Sequence, residues 1–276
     1  MSSKVTRKIL SIILVAVTAI GGCLFFATQL VHATVCSEKY LTRYFLSKEI
    51  TAQCNENFKT QIEALEAKSA IPSRVFDAVY NFSETTDDTA VHRLFGGHDT
   101  SLYNDATIER FEMLCLEYLD GTGKEYDKAL VHNTALEAAR IYSDSFGIKN
   151  IEQMRSFINQ ESRDYNKVTS LSLMIMLLPV ALIFVLFSKP YDIMLRIISA
   201  FTATGLTVMI TGAVSLIAGF GQSPLISPEP YTQAAISAVR GMFVICVLAG
   251  AVIFIGSLIA NVVMTDKIKN TPSNLT

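Results

Sequence analysis

From Ser170 to Ser188 the chain carries no charged residue, and this run follows directly on a helical pattern of mixed polarity. Ile151, Met154, Phe157 and Ile158 recur at helical spacing among Glu152, Arg155, Glu161, Arg163 and Asp164. The pattern predicts one helix, starting near Asn150, that is amphipathic first and membrane-spanning afterwards. Between Leu171 and Phe187 there are twelve Leu, Ile, Val or Phe residues. At roughly −0.3 to −0.6 kcal/mol each, they favour insertion by several kcal/mol. If continuous to Phe187, such a helix measures about 57 Å, about half of it beyond the bilayer. Pro179 is expected to kink it.

Three more uncharged runs, Ile9 to Val31, Ile197 to Phe220 and Gly241 to Met264, are long enough to cross about 30 Å of hydrocarbon. The expected fold class is therefore an all-α membrane protein with four transmembrane helices and an extracytoplasmic helical bundle inserted between helices one and two. The expected divisions are an N-terminus at 1–8, helix one at 9–34, the extracytoplasmic domain at 35–166 and helix two at 167–188. A loop at 189–196, helix three at 197–220, an outer loop at 221–240, helix four at 241–264 and a C-terminus at 265–276 follow.

Charge sets the orientation. Val35 to Asn166 holds 22 Asp and Glu against 14 Lys and Arg, a net of −8, so the rest of the chain keeps 9 basic and 3 acidic residues. Lys4, Arg7 and Lys8 precede the first run, Lys189 and Arg196 follow the second, and Lys267 and Lys269 follow the fourth. The positive-inside rule puts both termini in the cytoplasm of a multi-pass plasma-membrane protein, although Lys167 and Arg240 lie at the outer ends. An acidic soluble part also argues against nucleic acid as a partner. The first run resembles a signal peptide ending at Val31-His32-Ala33, and Ile20-Gly21-Gly22-Cys23 resembles a lipobox. Its length, and the Leu24-Phe25-Phe26 that follows the cysteine, favour an uncleaved anchor.

The segment between the first two runs reads as helices throughout. Ser37 is a candidate N-cap for one long helix whose stripe runs through Tyr40, Leu41, Tyr44, Phe45, Ile50, Cys54, Phe58, Ile62 and Leu65 to Ser69. Pro72 permits a short second helix with Val75, Phe76, Val79 and Tyr80; Ser83 to Thr89 and Gly96-Gly97 read as loop. Asn104 or Asp105 caps a third helix with Phe111 and Cys115, closed near Gly121 to Gly123, and a fourth from Tyr126 to Tyr142 is stopped by Gly147.

Candidate chemistry is sparse. Cys54 and Cys115 both lie on apolar faces and form the candidate disulfide, with two buried free thiols as the alternative. Cys36 and Cys54, 18 residues apart on one straight helix, are too distant to bridge. His92 and His98, near Asp87, Asp88 and Asp99, match no metal-ligand spacing, and His132 lacks a matching ligand. HExxH, GxSxG, Walker and GxGxxG patterns are absent, so neither an enzyme, a catalytic residue, a metal nor a cofactor is expected. No spanning run carries an ionisable side chain of the kind that lines ion-coupled transport paths. Thr202, Thr204, Thr207, Thr211 and Ser215 form a hydroxyl stripe, to which helix packing gives the simpler account. Ser215/Gly219 and Gly256/Ala260 are candidate small-residue contacts, and the proline-containing stretch Gln222 to Gln233 is expected to cap the bundle.

The basic start and anchor, the Tyr40-Leu41 pair and the run Ser69-Ala70-Ile71-Pro72-Ser73-Arg74-Val75-Phe76 resemble a group of Gram-positive bacterial membrane proteins with an N-terminal anchor, an extracytoplasmic helical domain and C-terminal transmembrane helices. The resemblance covers roughly Lys8 to Phe187, with Ala70 where the group has glycine. It implies a bacterial plasma-membrane protein with an outer helical domain and carries no catalytic residues with it. The expected function is a non-enzymatic accessory, scaffold or sensor-like protein that sits in the lipid bilayer and meets a protein partner or a second copy. The alternatives are a small transporter or channel and, third, a membrane-bound hydrolase.

Overall fold

The computed structural model describes residues 3–69, 71–77, 94–95, 102–123, 127–148, 151–219 and 229–270. These residues form eight α-helices and one 3-10 turn, without strands. The helices are α1 (Ser3–Ala33), α2 (Glu38–Phe45), α3 (Lys48–Ser69), α4 (Asp105–Thr122), α5 (Lys128–Phe146), α6 (Ile151–Leu186), α7 (Pro190–Ile217) and α8 (Glu229–Asn270). Two compact units result: an apolar one from Met1–Cys36, Asn159–Gln222 and Val239–Thr276, and a polar one from Ser37–Ile158 and Ser223–Ala238. The chain passes between them inside α6 and α8, each an uninterrupted helix. Pro179 lies within α6, which continues through it.

The polar unit is built around one aromatic and aliphatic core. Phe45, Phe58, Phe76, Phe111, Ile62 and Val131 are almost fully enclosed. Phe58 meets the ring of Tyr142 edge-on at 5.9 Å and that of Phe146 at 5.6 Å, and Phe76 meets Phe111 at 5.7 Å. The starts of α2, α4 and α5 each supply a side-chain acceptor to an orphan N–H. Ser37 Oγ accepts from Tyr40 N, Asn104 Oδ1 from Thr107 N at 2.8 Å, and Asp127 Oδ1 from Ala129 N at 2.9 Å. Gly123 ends α4 in the left-handed region, with φ at 64°.

Two sequence expectations are corrected in this unit. The stripe from Tyr40 to Ser69 is not one helix, because the chain turns at Leu46 and Ser47 between α2 and α3. Ser47 Oγ accepts from Ile50 N at 3.4 Å and its carbonyl from Thr51 N at 3.0 Å, so it caps a new helix, while Leu46 N closes the old one on the Thr42 carbonyl. Phe45 and Ile50 are both buried as a result. The second correction is that 221–240 is not all loop: α8 begins at Glu229. Pro230 stands in its first turn, where a missing N–H costs nothing. Pro72 precedes the 3-10 turn Ser73–Phe76, whose Ser73 N donates to Glu66 Oε2 at 2.9 Å, holding the Glu66 carboxyl below its usual range. Val79, Tyr80 and Asn150 lie outside the described residues.

Four helices are long and apolar enough to cross a membrane: Val5–Ala33, Ile151–Leu186, Pro190–Ile217 and Glu229–Asp266. Their outer faces expose large apolar side chains, with Val185 at 83%, Ile217 at 87% and Val252 at 72%. A water-facing surface does not carry such a continuous patch. The polypeptide backbones come together at small residues. A Cβ on Gly205 would lie 2.5 Å from Phe254 N, and one on Gly250 would lie 2.5 Å from Met209 N, so each glycine of the α7–α8 crossing admits the other helix. Gly256, expected to serve this purpose, has nothing within 4 Å. Gly21 faces the α6 backbone and Gly22 the Thr204 side chain, which gives the lipobox-like pair a packing role. His32 stacks on Tyr165 at 3.8 Å, and Tyr165 donates to Gln29 Oε1 at 2.8 Å, joining α1 to α6.

Candidate functional site

Within the polar unit the first turns of α8 lie against α2 and α3. Tyr231, Ala234 and Ala238 recur every three or four residues and are all buried. Tyr231 stacks on Phe45 at 5.9 Å, and Tyr40 donates its hydroxyl to the Ala238 carbonyl at 2.7 Å. Burial, and then the neighbouring Tyr44, push the Tyr40 phenol up, so it stays a neutral donor throughout the physiological range. The two alanines are small enough to let the helices approach, and they leave room beside the α2–α3 turn.

That room is a half-open groove of about 450 Å³. Ile50 and Ala234 form its floor, and Arg43, Tyr44, Glu49, Gln53, Gln233 and Ser237 stand around it. Gln233 is steadied by Glu229, whose Oε1 accepts from its amide at 2.7 Å. The volume lies in the range of small-molecule sites, roughly 300–1,000 Å³, although the walls are more polar than most. A guanidinium, a carboxylate, a phenol, a hydroxyl and two amides can bind by hydrogen bonds and ion pairs; the arrangement suits recognition. The α8 half of it escaped the sequence reading, although Tyr231, Ala234 and Ala238 already stand at helical spacing after Pro228 and Pro230.

The residues singled out by sequence are placed as follows. Cys54 and Cys115 are both buried in the core of the polar unit and both are free thiols. Burial pushes each to about 11, with the Tyr231 hydroxyl pulling Cys54 slightly down and the Glu112 carboxylate pushing Cys115 further up. His132 Nδ1 lies 3.2 Å from Glu112 Oε2 on the exposed side of α4 and α5. His92, His98, Asp87, Asp88 and Asp99 lie outside the described residues. Among the described residues, no three His, Cys, Asp or Glu side chains gather as a metal site requires.

At 3.6 residues per turn Thr204, Thr207, Thr211 and Ser215 fall within about 80° of one another on the third apolar helix, and Thr202 lies away from them. Thr204 is buried and donates to the Ala200 and Ala19 carbonyls at 3.0 and 3.3 Å, and Thr202 donates to the Ile198 carbonyl at 2.8 Å. Thr207 and Thr211 are exposed and Ser215 is buried. Compared with family models, curated proteins and solved structures, the chain gives no match.

Proposed function

We propose that the chain is an integral plasma-membrane protein with both termini in the cytoplasm, whose polar unit lies outside the cytoplasm as a non-enzymatic interaction module. It serves as an accessory, scaffold or sensor-like subunit. The orientation is supported by the basic residues before α1, in the α6–α7 turn and after α8, set against the net −8 of Val35 to Asn166. The observation that carries the functional reading is the groove: one wall belongs to the α2–α3 turn, and the other, Gln233 and Ser237, belongs to the helix that continues as the fourth apolar helix. An occupant touching Arg43 and Gln233 together bears on that helix directly. It biases a conformational equilibrium only as far as it binds the two states differently.

The test is to tag the C-terminus, extract the protein at native expression in mild detergent and identify by mass spectrometry what comes with it. A near-stoichiometric protein partner that is lost with Arg43→Glu or Gln233→Ala supports the module. Isolation as a lone monomer that carries solute flux in liposomes sinks it. Reporter fusions at Ser37 and Thr276 check the orientation, with an external signal expected from the first and a cytoplasmic one from the second.

A further inference from the structure

We propose that Arg196, with Lys189 and Phe187, forms a site for the phosphodiester headgroup of an anionic phospholipid. Arg196 lies six residues past the start of α7, about 9 Å along the helix, just before the run of apolar residues that opens at Ile197. Its side chain turns back toward the start of the helix, with the guanidinium carbon 5.5 Å above the Phe187 ring. The residue is half-buried, its Nε is sealed from solvent, and that Nε has no hydrogen-bond partner. Asp192, one turn earlier on the same helix, is not paired with it. Lys189 stands at the N-cap of α7.

A half-buried cation without a counter-ion among the described residues is unfavourable, and a surrounding bilayer makes it more so. The sealed Nε is beyond reach of any ligand, but the two terminal nitrogens are not sealed, and the anions at the boundary of a leaflet are the phosphates of its lipids. A guanidinium offers two parallel N–H donors to a phosphate, which an ammonium does not, and a ring beneath it keeps the fork facing outward. The neighbourhood is also fixed: Tyr191 donates its hydroxyl to the Met264 carbonyl at 2.8 Å, tying α7 to α8, and Ile193 packs with Leu14 and Ile183. A structurally fixed cationic surface at the end of membrane helices is an arrangement that attracts anionic lipid headgroups.

This inference rests on the spanning reading of the four helices, so the two are tested separately. Release of the chain from membranes by an alkaline carbonate wash would sink the spanning reading itself. With the chain retained, the full protein is purified, stripped of lipid in detergent and titrated with phosphatidylglycerol, phosphatidylcholine or inorganic phosphate, with native mass spectrometry and the thermal midpoint as readouts. Wild type is expected to keep phosphatidylglycerol through washing and to gain thermal stability from it, with little response to inorganic phosphate. Arg196→Gln should bind phosphatidylglycerol about tenfold more weakly, and Arg196→Lys should fall between the two. If Arg196→Gln does not fold, Lys189→Gln and Arg196→Lys carry the test, each with weaker lipid retention. Retention unchanged in these variants, or a stabilisation by inorganic phosphate equal to that by lipid, overturns the site.

Discussion

The two units solve the same problem, holding helices together, with different chemistry. In the polar unit large aromatic side chains interlock, and Ser37, Ser47, Asn104 and Asp127 cap the helix starts. In the apolar unit many large side chains point outward, and the closest backbone approaches are made at Gly21, Gly205 and Gly250. Its hydroxyls bond to carbonyls of their own or neighbouring helices, as Thr204 does to Ala200 and Ala19. The difference follows from the solvent. Water drives apolar side chains inward, whereas lipid gives them no reason to leave the surface, so close backbone approach has to hold spanning helices together. Size should therefore matter in opposite senses: removing bulk damages the polar unit, and adding bulk damages the apolar one.

The largest expected effect tests the first half of that statement. Phe58→Ala removes a fully enclosed ring that touches Tyr142 and Phe146, and should cost about 3–5 kcal/mol. Chemical denaturation in detergent, followed by near- and far-ultraviolet circular dichroism, should show the polar unit losing its aromatic packing at much lower denaturant with apolar-unit helicity retained. The second half is tested at the α7–α8 crossing. Gly250→Val drives a side chain against the Met209 backbone and should lower resistance to unfolding in sodium dodecyl sulfate by about 1–3 kcal/mol. Gly256→Val, where nothing lies within 4 Å, is the control and should change it by less than about 0.5 kcal/mol. Equal effects at the two glycines would break the comparison.

Much of this contrast is legible in the sequence, and what is not has physical causes. The uncharged runs report the four apolar helices because burial in hydrocarbon excludes charge over the whole length of a span. The buried stripe from Leu41 to Leu65 was readable for the same reason in water, since one face must be apolar. Periodicity did not show that the stripe bends, because Ser47 is compatible with a helix interior until its hydroxyl takes the Ile50 N–H. The start of α8 was hidden by Pro224, Pro228 and Pro230, which read as loop, although Pro230 fits a first turn. Which glycines lie at a crossing depends on helix rotation, and a small-residue pattern carries no information about rotation; hence Gly256/Ala260 stands out in the sequence while Gly250 makes the contact. The groove was beyond reach because Arg43 and Gln233 are brought together only by the docking of α8.

A smaller effect separates the units at their helix starts. Asn104→Ala removes the acceptor of Thr107 N and of the Thr107 hydroxyl, and should cost about 1 kcal/mol in thermal or urea unfolding. Thr202→Val in α7 deletes a hydroxyl that bonds only to a carbonyl already used by the helix, and should be close to neutral in dodecyl sulfate unfolding. A large loss at Thr202 would mean that hydroxyls hold the apolar unit together as caps hold the polar one.

The smallest effect at neutral pH concerns sulfur, which both units bury. Cys54 and Cys115 sit in the water-excluded core of the polar unit, whereas Cys23 and Cys246 donate to the Thr204 and Val208 carbonyls of α7. For the core pair the ordinary thiol value of 9.0 is raised to about 11, so the folded state holds its protons longer than the unfolded one. Both states carry neutral thiols below 9.0, so these groups give no pH dependence there. Between 9.0 and about 11 the unfolded chain ionises first, and stability should fall as pH rises. Cys54→Ser/Cys115→Ser, although weakened by its new core hydroxyls, should lose that slope. Because alkylation needs the thiolate, neither core cysteine should react with maleimide at neutral pH until the polar unit is unfolded, and both should then react without reductant. A native mass two units low, abolished by reductant and by Cys115→Ser, would instead establish the Cys54–Cys115 bridge, and the core would then be held covalently where the apolar unit is joined at glycine crossings.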